Sequence, residues 1–137
     1  MQGYNLIVIY NETTDKVLLC KRRKNPYKGL YNFVGGKIEP NEDSLIAAYR
    51  ELQEETTLTK ADIVLTHFMD LKYYTFDMYL EVYVGKMNKT CEVMGDENDL
   101  YWSSLDSNFF DTNVFAGEGN MGHILMEIDF QKEKVLK

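Results

Sequence analysis

The segment from Asp43 to Glu55 constrains this chain most, because two different surfaces are written onto one helix-length stretch. Leu45, Ala48, Tyr49 and Leu52 recur at spacings of three and four, the period of a helix that buries one side. Glu51, Glu54 and Glu55 gather on a different side, since residues three and four apart are neighbours on a helix surface. One side packs and the other collects carboxylates. Either Asp43 or Asn41 can serve as N-cap, with Pro40 just outside. Ahead of it stands Gly35-Gly36, read as a turn whose backbone takes conformations closed to other residues.

Clustered carboxylates repel: two unit charges about 4 Å apart cost about 4 kcal/mol at an effective dielectric near 20. On a solvated face the side chains splay and nothing further follows. Alternatively, a hard oxygen-ligated cation such as Mg2+ holds the carboxylates together with a glycine carbonyl and water.

With 137 residues, 45% hydrophobic and 13% aromatic, the chain is read as one domain spanning residues 1–137. A formal charge of −7 argues against a sequence-independent grip on a DNA or RNA backbone. A small anionic ligand stays open, because divalent cations can stand between carboxylates and phosphates. The start, MQGYNLIVIYNET, has no basic region before its apolar run, and no stretch nears membrane-spanning length, so the expectation is a cytoplasmic protein without a membrane partner. Cys20 and Cys91 lack metal-type spacing and read as reduced packing residues; His67 and His123 are isolated and read as structural.

Leu6 to Tyr10 and Val17 to Cys20 are expected to form a hairpin, Tyr31 to Val34 a short strand, and Ile63 to Thr75 and Phe76 to Lys86 two long strands. Leu100 to Ser103 reads as a strand, Asp106 to Gly119 as a loop, and Met121 to Phe130 as a helix. This order gives an α/β domain with a mixed sheet between helices. The loop Lys21 to Gly29 carries Lys21, Arg22, Arg23, Lys24 and Lys28, either as a solvated patch or as a phosphate contact.

Gly36, five residues, Glu42, seven residues and then Arg50-Glu51-Leu52-Gln53-Glu54-Glu55-Thr56-Thr57-Leu58 resembles the Nudix box, GX5EX7REUXEEXGU with U apolar. Thr57, where the family has glycine, is the one departure; it removes no ligand but strains the helix-to-loop turn or shifts the loop. Leu18 to Arg22, Leu30 to Lys37 and Trp102 after an acidic stretch extend the likeness to the MutT-type, oxidised-nucleotide branch.

The resemblance implies a Nudix-like α/β/α sandwich and a Mg2+- or Mn2+-dependent hydrolase of phosphoanhydride bonds. By the same resemblance, Glu51 is the general base or holds the base water, with Arg50 orienting it. Glu54 and Glu55 bind metal with Glu51 and the Gly35 carbonyl, and Glu97 is the extra ligand, with Asp96 its competitor. Arg22 or Arg23 contacts the phosphate chain, where a planar guanidinium is favoured. Asn32 offers an amide to a purine edge, and Asn113, Glu118 and Asn120 are candidates for a second base-reading group. Tyr27, Tyr31, Phe109, Phe110 and Phe115 could stack on a base or simply pack. Tyr73 and Tyr74 lie near where relatives acting on dinucleoside polyphosphates carry a tyrosine, though in a tyrosine-rich strand packing is the favoured reading.

The leading expectation is therefore a purine nucleoside triphosphate substrate of the 8-oxo-dGTP kind, giving the monophosphate and pyrophosphate. The runner-up keeps the chemistry but takes ADP-ribose, a dinucleoside polyphosphate or a nucleotide sugar. A third reading, of another class, is a nucleotide-binding module without catalysis; Thr57 favours it and the intact Arg50, Glu51, Glu54 and Glu55 oppose it. The sequence leaves monomer and homodimer both open.

Overall fold

The computed structural model describes residues 1–90, 93 and 99–136. The elements run β1 (Gln2–Tyr10), β2 (Lys16–Lys21), β3 (Tyr31–Asn32), β4 (Val34–Lys37), α1 (Ser44–Thr56), β5 (Thr66–Tyr73), β6 (Met78–Lys86), β7 (Asp99–Ser104), α2 (Asn120–Phe130) and α3 (Lys132–Val135). The sheet is mixed. Its path is β3-β2-β1-β6-β5, with β4 added beside β1 and β7 beside β2; among the described strands β1 and β6 run parallel, from Gln2 opposite Met78 to Tyr10 opposite Lys86, and the other pairs are antiparallel.

The strands at the centre are apolar on both faces because helices cover both. In β1, Ile7 and Ile9 pack with Leu18, Ala48 and Leu52 under α1, while Leu6, Val8 and Tyr10 pack with Ile124 and Ile128 under α2. The period of two thus feeds two cores from one strand, the α/β/α arrangement expected from the sequence. Among the described residues no helix is long and apolar enough to cross a membrane.

Helix α1 is capped by Asp43, whose Oδ2 accepts from the N–H groups of Leu45 and Ile46, both at 3.1 Å. Asn41, the other candidate, instead turns the chain with φ 63°. The buried side of α1 is Ala47, Ala48, Glu51, Leu52 and Thr56. Leu45, expected in the buried stripe, is 42% exposed, and Tyr49 is half-buried. The small Ala47-Ala48 pair lets the helix rest directly on the sheet, and Leu45, on the same side as Leu52 and Thr56, is exposed at its first turn.

Other boundaries also move. The expected strand 31–34 is two strands: β3 pairs with β2, β4 pairs with β1, and Phe33 lies between them. Gly35 and Gly36 therefore lie inside β4 rather than in a turn. The expected strand starting at Ile63 begins at Thr66; Ile63 makes an isolated bridge to Met87. Tyr74 to Asp77 form the β5–β6 turn, with the N–H of Asp77 donating to Tyr74 O at 3.3 Å and φ 51° at Asp77. Helix α2 begins one residue before the expected segment, and α3 follows it.

Candidate active site

Glu51 is the pivot. It sits on the sheet-facing side of α1 and is 8% exposed, with its carboxylate lying on Gly36. A Cβ at Gly36 would come within 2.4 Å of Glu51 Oε2, so a side chain there would displace the carboxylate. Burial raises the Glu51 pKa above the usual carboxylate range, while the hydrogen bond from Arg50 pulls it back.

Arg50 ties the acidic residues together. Its Nε and Nη2 donate to Glu42 Oε2 and Oε1 at 2.7 and 2.9 Å, a planar two-point grip. Nη1 donates to Glu51 Oε1 at 3.0 Å and to Glu54 Oε2 at 3.3 Å, and Nη2 also reaches Lys37 O at 3.1 Å. The Arg50 contact, with a backbone N–H from Glu39, lowers the Glu42 pKa to about 2. Glu42 is the member that residue-level reading left without a role. The signal was present in the box spacing, but what Glu42 grips lies eight residues on.

Glu51, Glu54, Glu55 and Gly35 line a cavity of about 890 Å3, and Arg22, Arg23 and Lys24 of the basic loop line it as well. The size is that of a small-molecule site. The guanidinium of Arg22 donates from Nε to Pro26 O at 2.7 Å, and Arg23 pairs with Asp99 at the start of β7. Arginine carries five donors, so Arg22 retains N–H groups for an anion beyond its contact with Pro26 O.

The donor set suits a hard cation: carboxylates of Glu51, Glu54 and Glu55 with the Gly35 carbonyl, all oxygen, in one cavity. Among the described residues no three acidic, His or Cys side chains close on one point by themselves. A cation here would thus complete its coordination with backbone oxygen, water and phosphate, the usual habit of Mg2+. Glu97 and Asp96, the expected outer ligand and its competitor, lie outside the described residues, as does Cys91.

Asn32, Tyr27, Tyr73, Phe76, Glu118 and Asn120 line the same cavity. The Oδ1 of Asn32 accepts from Phe33 N–H at 2.8 Å. Glu118 accepts from Tyr27 OH at 2.6 and 2.7 Å, and Asn120 Nδ2 donates to Tyr73 OH. These contacts join loops far apart in sequence and hold Glu118 and Asn120 against tyrosines. Asn113 is not brought to the cavity. It stands exposed on a turn closed by Phe115 N–H donating to Asp111 O at 2.9 Å, which buries Phe115 and points residue 113 away.

Of the aromatic candidates for stacking, Tyr27 lines the cavity and Tyr31, Phe109, Phe110 and Phe115 do not; Tyr73, noted for the dinucleoside polyphosphate reading, lines it too. Tyr31 packs edge-on against Tyr101, Phe109 against Phe115, and Tyr74 is 78% exposed outside it. Tyr4, Phe33 and Phe76 line it without having been anticipated. Cys20 is buried and free, with its thiol pushed up to about 11 by burial, and His67 stacks on Tyr83 and pairs with Asp70 at 2.6 Å.

A helix that presents glutamates beside a glycine pair, in a cavity also lined by Arg22, Arg23 and Lys24, has the donor and charge types that suit a cation and an anionic ligand together. Residues 3–113 match the NUDIX domain, and the chain belongs to that family. It is 29% identical over 126 residues to the ADP-ribose pyrophosphatase of Methanocaldococcus jannaschii, covering 92% of this chain and 66% of that protein. It is 34% identical over 70 residues to the CTP pyrophosphohydrolase of Escherichia coli, covering 49% of this chain and 52% of that one. Among solved structures, the Ap4A hydrolase of C. elegans superposes with a TM-score of 0.74 at 21% identity, covering 95% of this chain and 98% of the other.

Proposed function

We propose that the chain hydrolyses a phosphoanhydride bond in a nucleoside diphosphate-linked substrate, with Mg2+ or Mn2+ as cofactor. The observation that carries this reading is the Arg50 grip on Glu51 and Glu54, which line one cavity together with Arg22, Arg23 and Lys24. Water attacks phosphorus, its proton passes to a Glu51 Oε, and the phosphorus–oxygen bond to the leaving phosphate breaks with its electron pair on that oxygen. Arg50 holds Glu51 in orientation, and Arg22 and Arg23 draw in the phosphate chain. A divalent cation bound by Glu51, Glu54, Glu55 and the Gly35 carbonyl supplies neutralisation of the phosphate charge.

The proposed substrate is a purine nucleoside triphosphate, of the 8-oxo-dGTP kind that the MutT-type branch takes, yielding the monophosphate and pyrophosphate. Asn32 at the cavity wall supports it, since an amide both donates to and accepts from a purine edge. A second reading, ADP-ribose, is supported by the name of the archaeal relative, which aligns with 92% of this chain.

The test is a panel of 8-oxo-dGTP, dGTP, CTP, ADP-ribose and diadenosine tetraphosphate, assayed with Mg2+ or Mn2+ for phosphate, pyrophosphate and nucleoside monophosphate. Highest kcat/KM for 8-oxo-dGTP with pyrophosphate release supports the leading reading, and preference for ADP-ribose supports the second. Tight binding of a panel member with no hydrolysis of any would make the chain a nucleotide-binding module.

A further inference from the structure

Asn5 is a polar residue in the middle of an apolar strand: Leu6, Ile7, Val8 and Ile9 follow it in β1, and it is itself 2% exposed. Asparagine is depleted in strands and a buried amide must be satisfied, so packing alone does not account for it. Its Oδ1 accepts from Gly36 N–H at 3.0 Å. Its Nδ2 is buried and has no hydrogen-bond partner among the described residues. Asn5 lies opposite Gly36 in the β1–β4 register and lines the same cavity as Glu51.

The approach of the two strands at this point is extreme. Gly35 has φ 154°, and a Cβ on it would stand 2.1 Å from Asn5 O and 3.2 Å from Asn5 Oδ1. The Glu51 carboxylate also lies on Gly36. Asn5 has the strand parity of Ile7 and Ile9, which pack under α1, so Asn5 and Glu51 both meet Gly36 on the α1 side of the sheet.

We propose that Asn5 is a positioning residue that acts through Gly36 to fix the Glu51 carboxylate. It does not touch the reacting atoms; its Oδ1 anchors the strand on which that carboxylate rests. The inference rests on the proposed role of Glu51 as base. It adds a residue from the N-terminal strand, remote in sequence from the glutamate helix.

The test uses Asn5→Ala and Asn5→Asp in the full chain, the second keeping an acceptor at Oδ1. For the substrate hydrolysed best, Asn5→Ala is expected to lower kcat by about 10- to 100-fold with KM within about twofold, as a small misplacement of a catalytic group does. Independently of activity, the Gly36 amide and the Glu51 side-chain carboxyl carbon should shift in NMR spectra of metal-free Asn5→Ala, and Asn5→Asp should restore the Gly36 amide. Should Asn5→Ala fail to fold, Asn5→Ser, too short to reach Gly36, carries the same expectations.

Unchanged Gly36 and Glu51 signals overturn the proposal, and so does a shift spread across β1 and β6 with kcat falling only as the folded fraction falls. If the wild type hydrolyses no panel member, the enzymatic reading fails, while the two NMR signals still decide whether Asn5 positions Glu51.

Discussion

Arg50 grips Glu42 at two points, and the same guanidinium then reaches forward to Glu51, so one cation spans the loop before α1 and the acidic face of its last turns. Glu42→Gln should loosen that span while leaving the helix cap at Asp43 intact. Turnover is expected to fall by about 10- to 100-fold, as when groups that orient a metal site are removed. Stability should report the same contact. The folded-state pKa of Glu42 is depressed from 4.5 to about 2, so its contribution is present above about 4.5 and is lost as pH falls toward 2. Unfolding midpoints of the wild type and Glu42→Gln should therefore converge across that window; a difference that stays constant with pH would break the link.

Glu51 has the opposite sign. Burial raises its pKa, so the folded state holds the proton more tightly than the unfolded chain and the ionised form opposes folding. Metal-free Glu51→Gln should thus melt at a higher temperature than the wild type at pH 7, and the gap should close as the pH is lowered past 4.5. Thermal melts in chelator at the two pH values measure it. The same variant is expected to lose hydrolysis.

Glu54 stands on the solvent side of the cluster, its side chain 55% exposed, so Glu54→Gln should fold normally. Metal affinity should drop more than about tenfold, since even groups that only support a ligand cost that much. Titration of Mn2+ with and without the substitution separates a metal ligand from a solvated face; equal affinities would assign Glu54 to the latter. In excess chelator the wild type should be inactive, with recovery on adding Mg2+.

Thr57 adopts φ 67° at the C-cap of α1, the left-handed conformation in which a β-branched residue is strained. Its N–H still closes the helix on Gln53 O at 2.9 Å, so the loop keeps the shape that glycine would give it. Thr57→Gly should relieve about 1 to 2 kcal/mol of conformational strain and lose about 0.4 to 1 through the freer unfolded chain. The net expectation is a gain of about 0.5 to 1 kcal/mol in denaturant unfolding, with kcat unchanged. A destabilised variant would show that the threonine is accommodated without strain.

Asn32 lines the cavity beside β4. If it reads the base, Asn32→Ala should lower kcat/KM for purine triphosphates by about 1 to 3 kcal/mol and leave substrates recognised elsewhere unaffected. A uniform loss across 8-oxo-dGTP, dGTP, ADP-ribose and diadenosine tetraphosphate would assign it to the support of Gly35 and Gly36 instead.

Much of this architecture is local and was legible as such. The period of three and four in residues 43–55, the β-rich apolar run from Leu6 to Tyr10 and the apolar segment after Gly119 each carry their own signal, because local propensity and side-chain direction follow from the chain's own geometry. The glutamate cluster was legible for the same reason. The Nudix box fixed which residues belong together before any packing was known.

Long-range pairing decided the rest. That Glu51 is buried depends on which side of α1 meets the sheet, and that Leu45 is exposed depends on where along the helix the contact begins. That Gly35 and Gly36 are strand rather than turn depends on β1, whose Asn5 is 31 positions away from Gly36 in sequence. Glu118 meets Tyr27 across 91 positions, while Asn113, from the same loop, is turned away by the burial of Phe115. A sequence specifies what each residue can do within its own few turns of chain; which of those residues share a cavity is settled only when distant segments pack, because that energy belongs to contacts the local pattern does not contain.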